Sequence, residues 1–413
     1  MKVVNNVKTM KYILILLLVF FCSCFRSNRT TFSETEIKTF TDGSFVYYPI
    51  RDNKITADLD HPQNVSLFDY FSHIEMIPLE TRDDVLIGRL SKVIYHQNRY
   101  YTFCEQQFIV QAFDENGKFI CQIGRRGRGP GEHGITYDFI VNPFTGNIDI
   151  LGALSGQIYS YDLSGNHVKT SSRVNEFEQG LTAVHRLLAL SDNFYIINTG
   201  GRLMNPYKIF YYDVKENKII HKEYEPKDIA YFMSNAHCFY EYHGQWYFSY
   251  VYDREVYIIG PKSLEKGYTW DLGKHNYNVD NFVITEEMHR DANIRRDAIY
   301  SRFPYWLDQQ GQNNRYVIAQ IRKYDDEWNK LGNLIYDKTT QECKYIERLG
   351  FAESVGFRPH VVTNEYVLSY CNHEELDEYL NVEILDEENR NKLEILKGAK
   401  IEQNPVIIKY YFK

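Results

Sequence analysis

From about Ile74 to its end the chain is written in short apolar runs broken by turn residues. Residues 108–114 read FIVQAFD, residues 115–118 read ENGK and residues 119–123 read FICQI. A strand, an Asn-Gly turn and a returning strand form the strongest short hairpin signal a sequence carries. The pattern recurs at 158–162 (IYSYD), LSGN and HVK, and again at 209–213 (IFYYD), VKEN and KII. Residues 256–260 (VYIIG) and 334–337 (LIYD) open two more. No long stretch of helical period interrupts these runs until residues 285–301 (TEEMHRDANIRRDAIYS), which are charged and free of Gly and Pro.

The interval between hairpins sets the architecture. Asp114 to Asp162 is 48 residues, Asp162 to Asp213 is 51 and Asp213 to Pro261 is 48. A period of about 40–50 residues holding several short strands predicts propeller blades rather than helical repeats. The 76 residues from Pro261 to Asp337 place an insertion in one blade, with its helical part at 285–301. Blades are expected near 86–124, 135–172, 184–224, 236–273 and 302–349, with a sixth from Arg358 to the C-terminus. The sixth is one strand short: 365–371 and 405–412 are clear, and the Glu-rich stretch 372–400 between them reads as partly helical. The missing strand lies at the other end, in residues 74–80 (IEMIPLE), which have no hairpin partner nearby. Pairing this strand with 404–412 closes the ring and covers two edges that would otherwise template aggregation, and Pro78 is tolerable if it is the outermost strand. The expected fold is all-β: a six-bladed β-propeller closed by its two termini.

Ahead of the blades, Lys2, Lys8 and Lys11 precede an apolar run from Tyr12 to Phe21, followed by Cys22-Ser23-Cys24. The run is too short for a membrane-spanning helix, which takes about 20 residues, and suits the core of a signal peptide. Translation can start at Met1 or at Met10, and a start at Met10 sets a compact basic end, Lys11, directly against the apolar core. The domain plan is a leader at 1–23, a tether and extension at 24–69, and the propeller at 70–413. Cys104, Cys121, Cys238, Cys343 and Cys371 remain after the leader; their odd number and wide spacing imply neither a disulfide framework nor a zinc site.

Composition then narrows the class. With 35 Tyr and 25 Phe in 413 residues the chain has the means to build a core, and low-complexity disorder is excluded. A net charge of −8 argues against a nucleic-acid partner held by bulk positive charge.

The Cys22-Ser23-Cys24 junction resembles a loose bacterial lipobox of the Bacteroidetes kind, which implies cleavage before Cys24 and a lipid on its thiol. Ile77-Pro78-Leu79-Glu80-Thr81, residues 123–132 (IGRRGRGPGE) and residues 404–412 (NPVIIKYYF) complete the likeness. Together with the lipobox they resemble the six-bladed β-propeller lipoproteins abundant in Bacteroides and its relatives. The resemblance covers about residues 70–413 and implies a fold and a location, the cell envelope, lipid-anchored in the outer membrane and facing the periplasm. It implies no catalytic residues.

Candidate chemistry is sparse. Residues 129–134 satisfy G-x-G-x-x-G by letter, but the dinucleotide fingerprint needs a helix next, and ITYDFIV at 135–141 alternates as a strand. The glycine-rich segment reads instead as a crossing loop between blades one and two. There, backbone N–H groups could cup an anion, with Arg125, Arg126 and Arg128 adding planar donors. The competing reading is a structural loop whose arginines pair with Glu132 or neighbouring carboxylates. Tyr305 and Trp306, beside the insertion, are the aromatic candidates for a contact surface. His237, His243, His275 and His289 lack zinc spacing and read as surface histidines. Asp138, Asn142, Asn198 and Asn364 are candidates to face a central channel, as calcium-holding residues do in six-bladed lactonases.

The reading taken first is a non-enzymatic, monomeric envelope scaffold without a cofactor. It presents inter-blade loops and the 274–312 insertion to a protein or glycan partner. The rival is a lyase or hydrolase acting on carbohydrate or lactone at the channel, with calcium there as the alternative cofactor; it requires polar side chains from several blades to converge at one mouth.

Overall fold

In the computed structural model every hairpin named above is a pair of antiparallel strands, and the strands gather into six small sheets around one axis. The structure describes residues 38–39, 46–47, 50–153, 156–174, 184–199, 207–225, 237–279, 282–324, 329–347, 357–380, 382–399 and 403–413. The leader and Cys24 lie outside them. Residues 1–49 form a unit of their own, in which Lys38–Thr39 pairs with Val46–Tyr47. The second unit runs from Ile50 to Lys413 and holds the propeller.

The innermost strands of blades one to six are Leu90–His96, Thr136–Val141, Val184–Ala189, Phe239–Tyr242, Tyr305–Gln312 and Val361–Val362. The sixth blade has the order expected from the sequence: Val361–Val362, Tyr366–Cys371, Val406–Phe412 and, outermost, Phe71–Pro78. Ile407 faces Ile77 and Ile408 faces Met76 across the closing pair. Among the described residues six buried apolar clusters occur, and each is shared by two successive blades. The cluster joining blade six to blade one, with Ile77, Ile407 and Leu368 against Val93, Tyr100 and Phe113, makes the ring continuous. Because both faces of a blade are covered, Ile148–Gly152 is buried at every position, and the period-two alternation seen in the sequence fades in such middle strands.

The recurring aspartates have a common task. Asp114 Oδ1 accepts from the N–H groups of Asn116 and Lys118, and Asp162 Oδ1 accepts from Ser164 and Asn166, closing each turn before the outer strand. Gly117 (φ +81°) and Gly165 (φ +85°) follow in these turns, where a Cβ would collide with the carbonyl oxygens of Pro78 and Gln122 on the preceding blade. The repeat is thus a local turn and an inter-blade contact at once.

Two segments add to the plain ring. Lys54–Thr56 joins blade four as a fifth strand, parallel to Leu264–Asp271, with Ile55 buried opposite Trp270; part of the stretch read as an extension is therefore built into a sheet. The Glu-rich stretch contains the helix Glu387–Lys397, whose Asn389 covers the open edge of Phe71–Pro78. Its Oδ1 accepts from Met76 N–H (2.8 Å) and its Nδ2 donates to the Ile74 carbonyl (3.0 Å). A side-chain amide here replaces the missing neighbour strand. The insertion is two helices, Glu286–Arg290 and Ala292–Arg302, because Asp291 breaks the helical path and caps the second through Asn293 N–H (2.7 Å).

Candidate functional site

The ring leaves a channel made of two chambers. The first, about 780 Å³, lies around the N-terminal ends of the innermost strands, and the second, about 650 Å³, lies around their C-terminal ends. Both fall within the ~300–1,000 Å³ of small-molecule sites. They meet at a waist of Ser91, Tyr137, Arg186, His237, His360 and Tyr370, contributed by blades one, two, three, four and six.

The second chamber is mainly aromatic and aliphatic. Its one buried ion pair, among the described residues, joins Lys92 of blade one to Asp138 of blade two at 2.7 Å, and Asp138 also accepts from the Leu187 N–H of blade three. Asn364 lines this chamber too. Asn142 does not; it is buried in a network with Asp149 and Tyr195 (2.8 Å to each) between blades two and three. Asn198 is likewise spent, donating to the Lys208 carbonyl. Among the described residues no three His, Cys, Asp or Glu side chains are grouped so as to hold a metal ion.

The first chamber is polar and carries buried groups with no hydrogen bond to any described residue. Gln309 (4 % exposed) leaves Oε1 unpaired, and Gln320 (1 % exposed) leaves both amide atoms unpaired. Arg358 Nε and His360 Nδ1 are unpaired as well. Each such atom costs roughly 1–3 kcal/mol if nothing meets it, and all of them line one cavity. Arg186 is anchored through Nη1 to the carbonyl oxygens of Tyr137 (2.9 Å) and His185 (2.7 Å). His360 stacks on Tyr370 (3.7 Å between ring centres) and meets His237 edge-on at 5.7 Å. Burial pushes His237 down to about 4, with Arg186 adding to the effect, and holds His360 well below the ordinary imidazole range. Both rings are therefore neutral at pH 7. Of the three acids at this mouth, Asp308 pairs with Arg322 at 2.7 Å and Glu375 accepts from the Asn372 N–H at the start of a helical turn, while Glu105 is exposed.

Residues 52–411 match the family described as a domain of unknown function, DUF4934. The chain belongs to that family. Among solved structures, this DUF4934 chain is similar to a Bacteroides fragilis protein provisionally described as exported, with 14% identity, 87% of this chain and 99% of that one covered, and a TM-score of 0.65. A Bacteroides vulgatus member of the DUF4221 family is similar over 83% of this chain and 97% of its own, at 11% identity and a TM-score of 0.48. At such identities the likeness concerns the fold. No curated protein matches the DUF4934 chain.

Of the residues singled out in the sequence, Trp306 lines the first chamber, stacked on Tyr300 of the insertion with ring centres 5.0 Å apart. Arg126 lies over the ring of Phe108, another residue of that lining, at 5.0 Å. Tyr305, in contrast, is buried against His275 and away from both chambers. Arg125 is exposed 3.9 Å from Glu132, and Arg128 is exposed. In the glycine-rich loop Glu132 Oε2 accepts from the Gly129 N–H at 2.8 Å, so the carboxylate of this loop occupies a backbone donor there. The three arginines do not converge. The expectation that His237 is a surface histidine is overturned: it stands half-buried at the channel waist, two residues ahead of its blade's first strand. Arg186, Gln309, Gln320, Arg358 and His360 do not stand out in the sequence. The signal for some of them is the repeat itself, since Arg89, Tyr137, Arg186 and His237 stand 48, 49 and 51 residues apart, near the start of successive innermost strands.

Proposed function

We propose that this protein is a binding module of the bacterial cell envelope: a rigid propeller, exported and held by a lipid on Cys24 at the outer membrane facing the periplasm, which receives a glycan or protein partner at the mouth of its first chamber. The observation that carries the reading is the set of buried polar atoms there, on Gln309, Gln320, Arg358 and His360, that the described residues leave without partners. A closed ring keeps these groups in place before a ligand arrives, which limits the ordering cost of association. The apolar run before Cys24 and the similar Bacteroides protein described as exported support the envelope address.

The test is a glycan array combined with a pull-down from envelope extract. Wild type is compared with a Gln309→Ala/Gln320→Ala variant and with an Arg125→Ala/Arg126→Ala/Arg128→Ala variant. The chamber variant is expected to lose the partner at least tenfold, and the loop variant to lose less. No partner for wild type, or equal retention by the chamber variant, removes the reading.

A further inference from the structure

The first chamber's charge is unevenly spread. Around its lining stand Arg89, just ahead of blade one, Arg186 of blade three and Arg358, just ahead of blade six, with the exposed Glu105 of blade one among them. The Tyr370 hydroxyl feels all three guanidiniums and no carboxylate, although burial still raises its pKa. Arg358 has no carboxylate partner among the described residues; its guanidinium lies over the Tyr379 ring at 5.3 Å, and its Nε is buried and unpaired. Arg89 is exposed at the mouth, with no ion pair or hydrogen bond among the described residues. Blade five contributes the neutral amides of Gln309 and Gln320, and its single acid in the lining, Asp308, is neutralised by Arg322. The lining thus carries four arginines against Glu105, Asp308 and Glu375, a slight positive excess in a chain of net charge −8.

An unpaired, partly buried guanidinium is poorly compensated until an anion reaches it, and its planar donors match an oxyanion. The Gln320 amide, with both atoms free, and the free Oε1 of Gln309 match hydroxyl groups, which donate and accept together. The Tyr300–Trp306 stack at the same lining supplies an aromatic edge for the ring of a sugar. We infer that the first chamber takes an anionic saccharide, with its acid group held by Arg358 together with Arg186 and Arg89 and its hydroxyls held by Gln309 and Gln320. This rests on the binding reading above. The neutral state of His237 and His360 fits it, because they offer hydrogen bonds inside the channel without adding charge.

The test is calorimetric titration of the purified protein with trigalacturonic acid, with its methyl ester (the same hydroxyls without charge), and with a sulfated disaccharide. At least one of the two acidic probes is expected to bind, and the ester at least tenfold more weakly than trigalacturonic acid if that is the acid bound. Arg358→Gln is expected to weaken the acidic probe at least tenfold while leaving any ester binding unchanged. Arg89→Gln, an exposed change that leaves the fold intact, is expected to weaken it about threefold and to flatten its salt dependence. Carboxylate and sulfate sources are told apart by which acidic probe responds. No binding by either acid, an ester equal to its acid, or acid binding unchanged in both arginine variants overturns the inference. A neutral glycan retained on the array through Gln309 and Gln320 would leave the binding reading standing while this inference fell; loss of both would show that the reading itself had failed.

Discussion

Asn404→Ala is expected to cost about 3–5 kcal/mol of stability, read as the midpoint of urea unfolding. Asn404 is 1 % exposed and opens the last strand. Its Oδ1 accepts from the Ile87 N–H (2.8 Å), and its Nδ2 donates to the carbonyl oxygens of Glu80 (2.7 Å) and Val85 (2.6 Å). One side chain thus ties the end of the chain to the turn that leads from the closing strand into blade one. Alanine leaves a buried N–H and two carbonyl groups unpaired, at roughly 1–3 kcal/mol for each group that water cannot reach. Against a net stability of about 5–15 kcal/mol that is a large fraction. Asn404→Asp turns a carboxylate oxygen onto the Glu80 and Val85 carbonyl oxygens at a buried position, so it is expected to cost at least as much as alanine. A change below about 1 kcal/mol for the alanine variant would mean that this clamp is not formed.

Acid is expected to destabilise the protein well before its carboxylates titrate. His185 and His237 are each pushed down from 6.5 to about 4 by burial, and His133 and His360 are lowered by the same cause. Between pH 6.5 and 4 the unfolded chain therefore binds protons that the folded chain refuses, and stability rises with pH across that window. A tenfold difference in proton affinity between the folded and unfolded chain is worth about 1.4 kcal/mol for each group. With water in the channel softening the penalty at the waist, the total loss on going from pH 7 to pH 4 is on the order of 3–5 kcal/mol. Below pH 4 the aspartates held low by hydrogen bonds, Asp162 and Asp386 among them, add a further loss in the same direction as they protonate. Urea midpoints measured at half-unit intervals from pH 7.5 to 4 check this. A flat profile above pH 4.5 would contradict it, and a His237→Gln variant is expected to have a shallower slope.

Much of the ring is legible in the sequence because blades one, two, three and five repeat one local device, a turn closed by Asp114, Asp162, Asp213 or Asp337. The Asp of each turn and the glycines at 117 and 165 satisfy short-range hydrogen bonding and spacing, so they recur at the blade period. The pairing of residues 74–80 with 404–412 is legible by elimination, since one strand and one blade are each incomplete. The parallel strand Lys54–Thr56 is not, because three residues carry no period and their partner is more than 200 positions away. The site is less legible still. Each blade brings to the channel side chains from a different part of the sequence, so His237 and His360 are 123 positions apart in sequence and 5.7 Å apart as rings. Arg125, Arg126 and Arg128 stand out because they are close in sequence, but their loop spreads them over the surface, whereas the arginines that share a chamber come from three blades. Tyr305 and Trp306 are neighbours on a strand and so point to opposite faces, which is why one lines the chamber and the other is packed between blades.

The chambers, their waist and the division of residues between them all depend on the first strand of the ring being held by the last. Amide hydrogen exchange, followed by mass spectrometry on peptides covering 71–78 and 406–412, tests this most directly. The account predicts that the N–H groups of Glu75 and Ile77, which face the last strand, and of Met76, which donates to Asn389, exchange only with global unfolding and together with those of Ile407 and Ile408. Exchange of residues 71–78 at the rate of an unstructured peptide, while 406–412 stays protected, would contradict it.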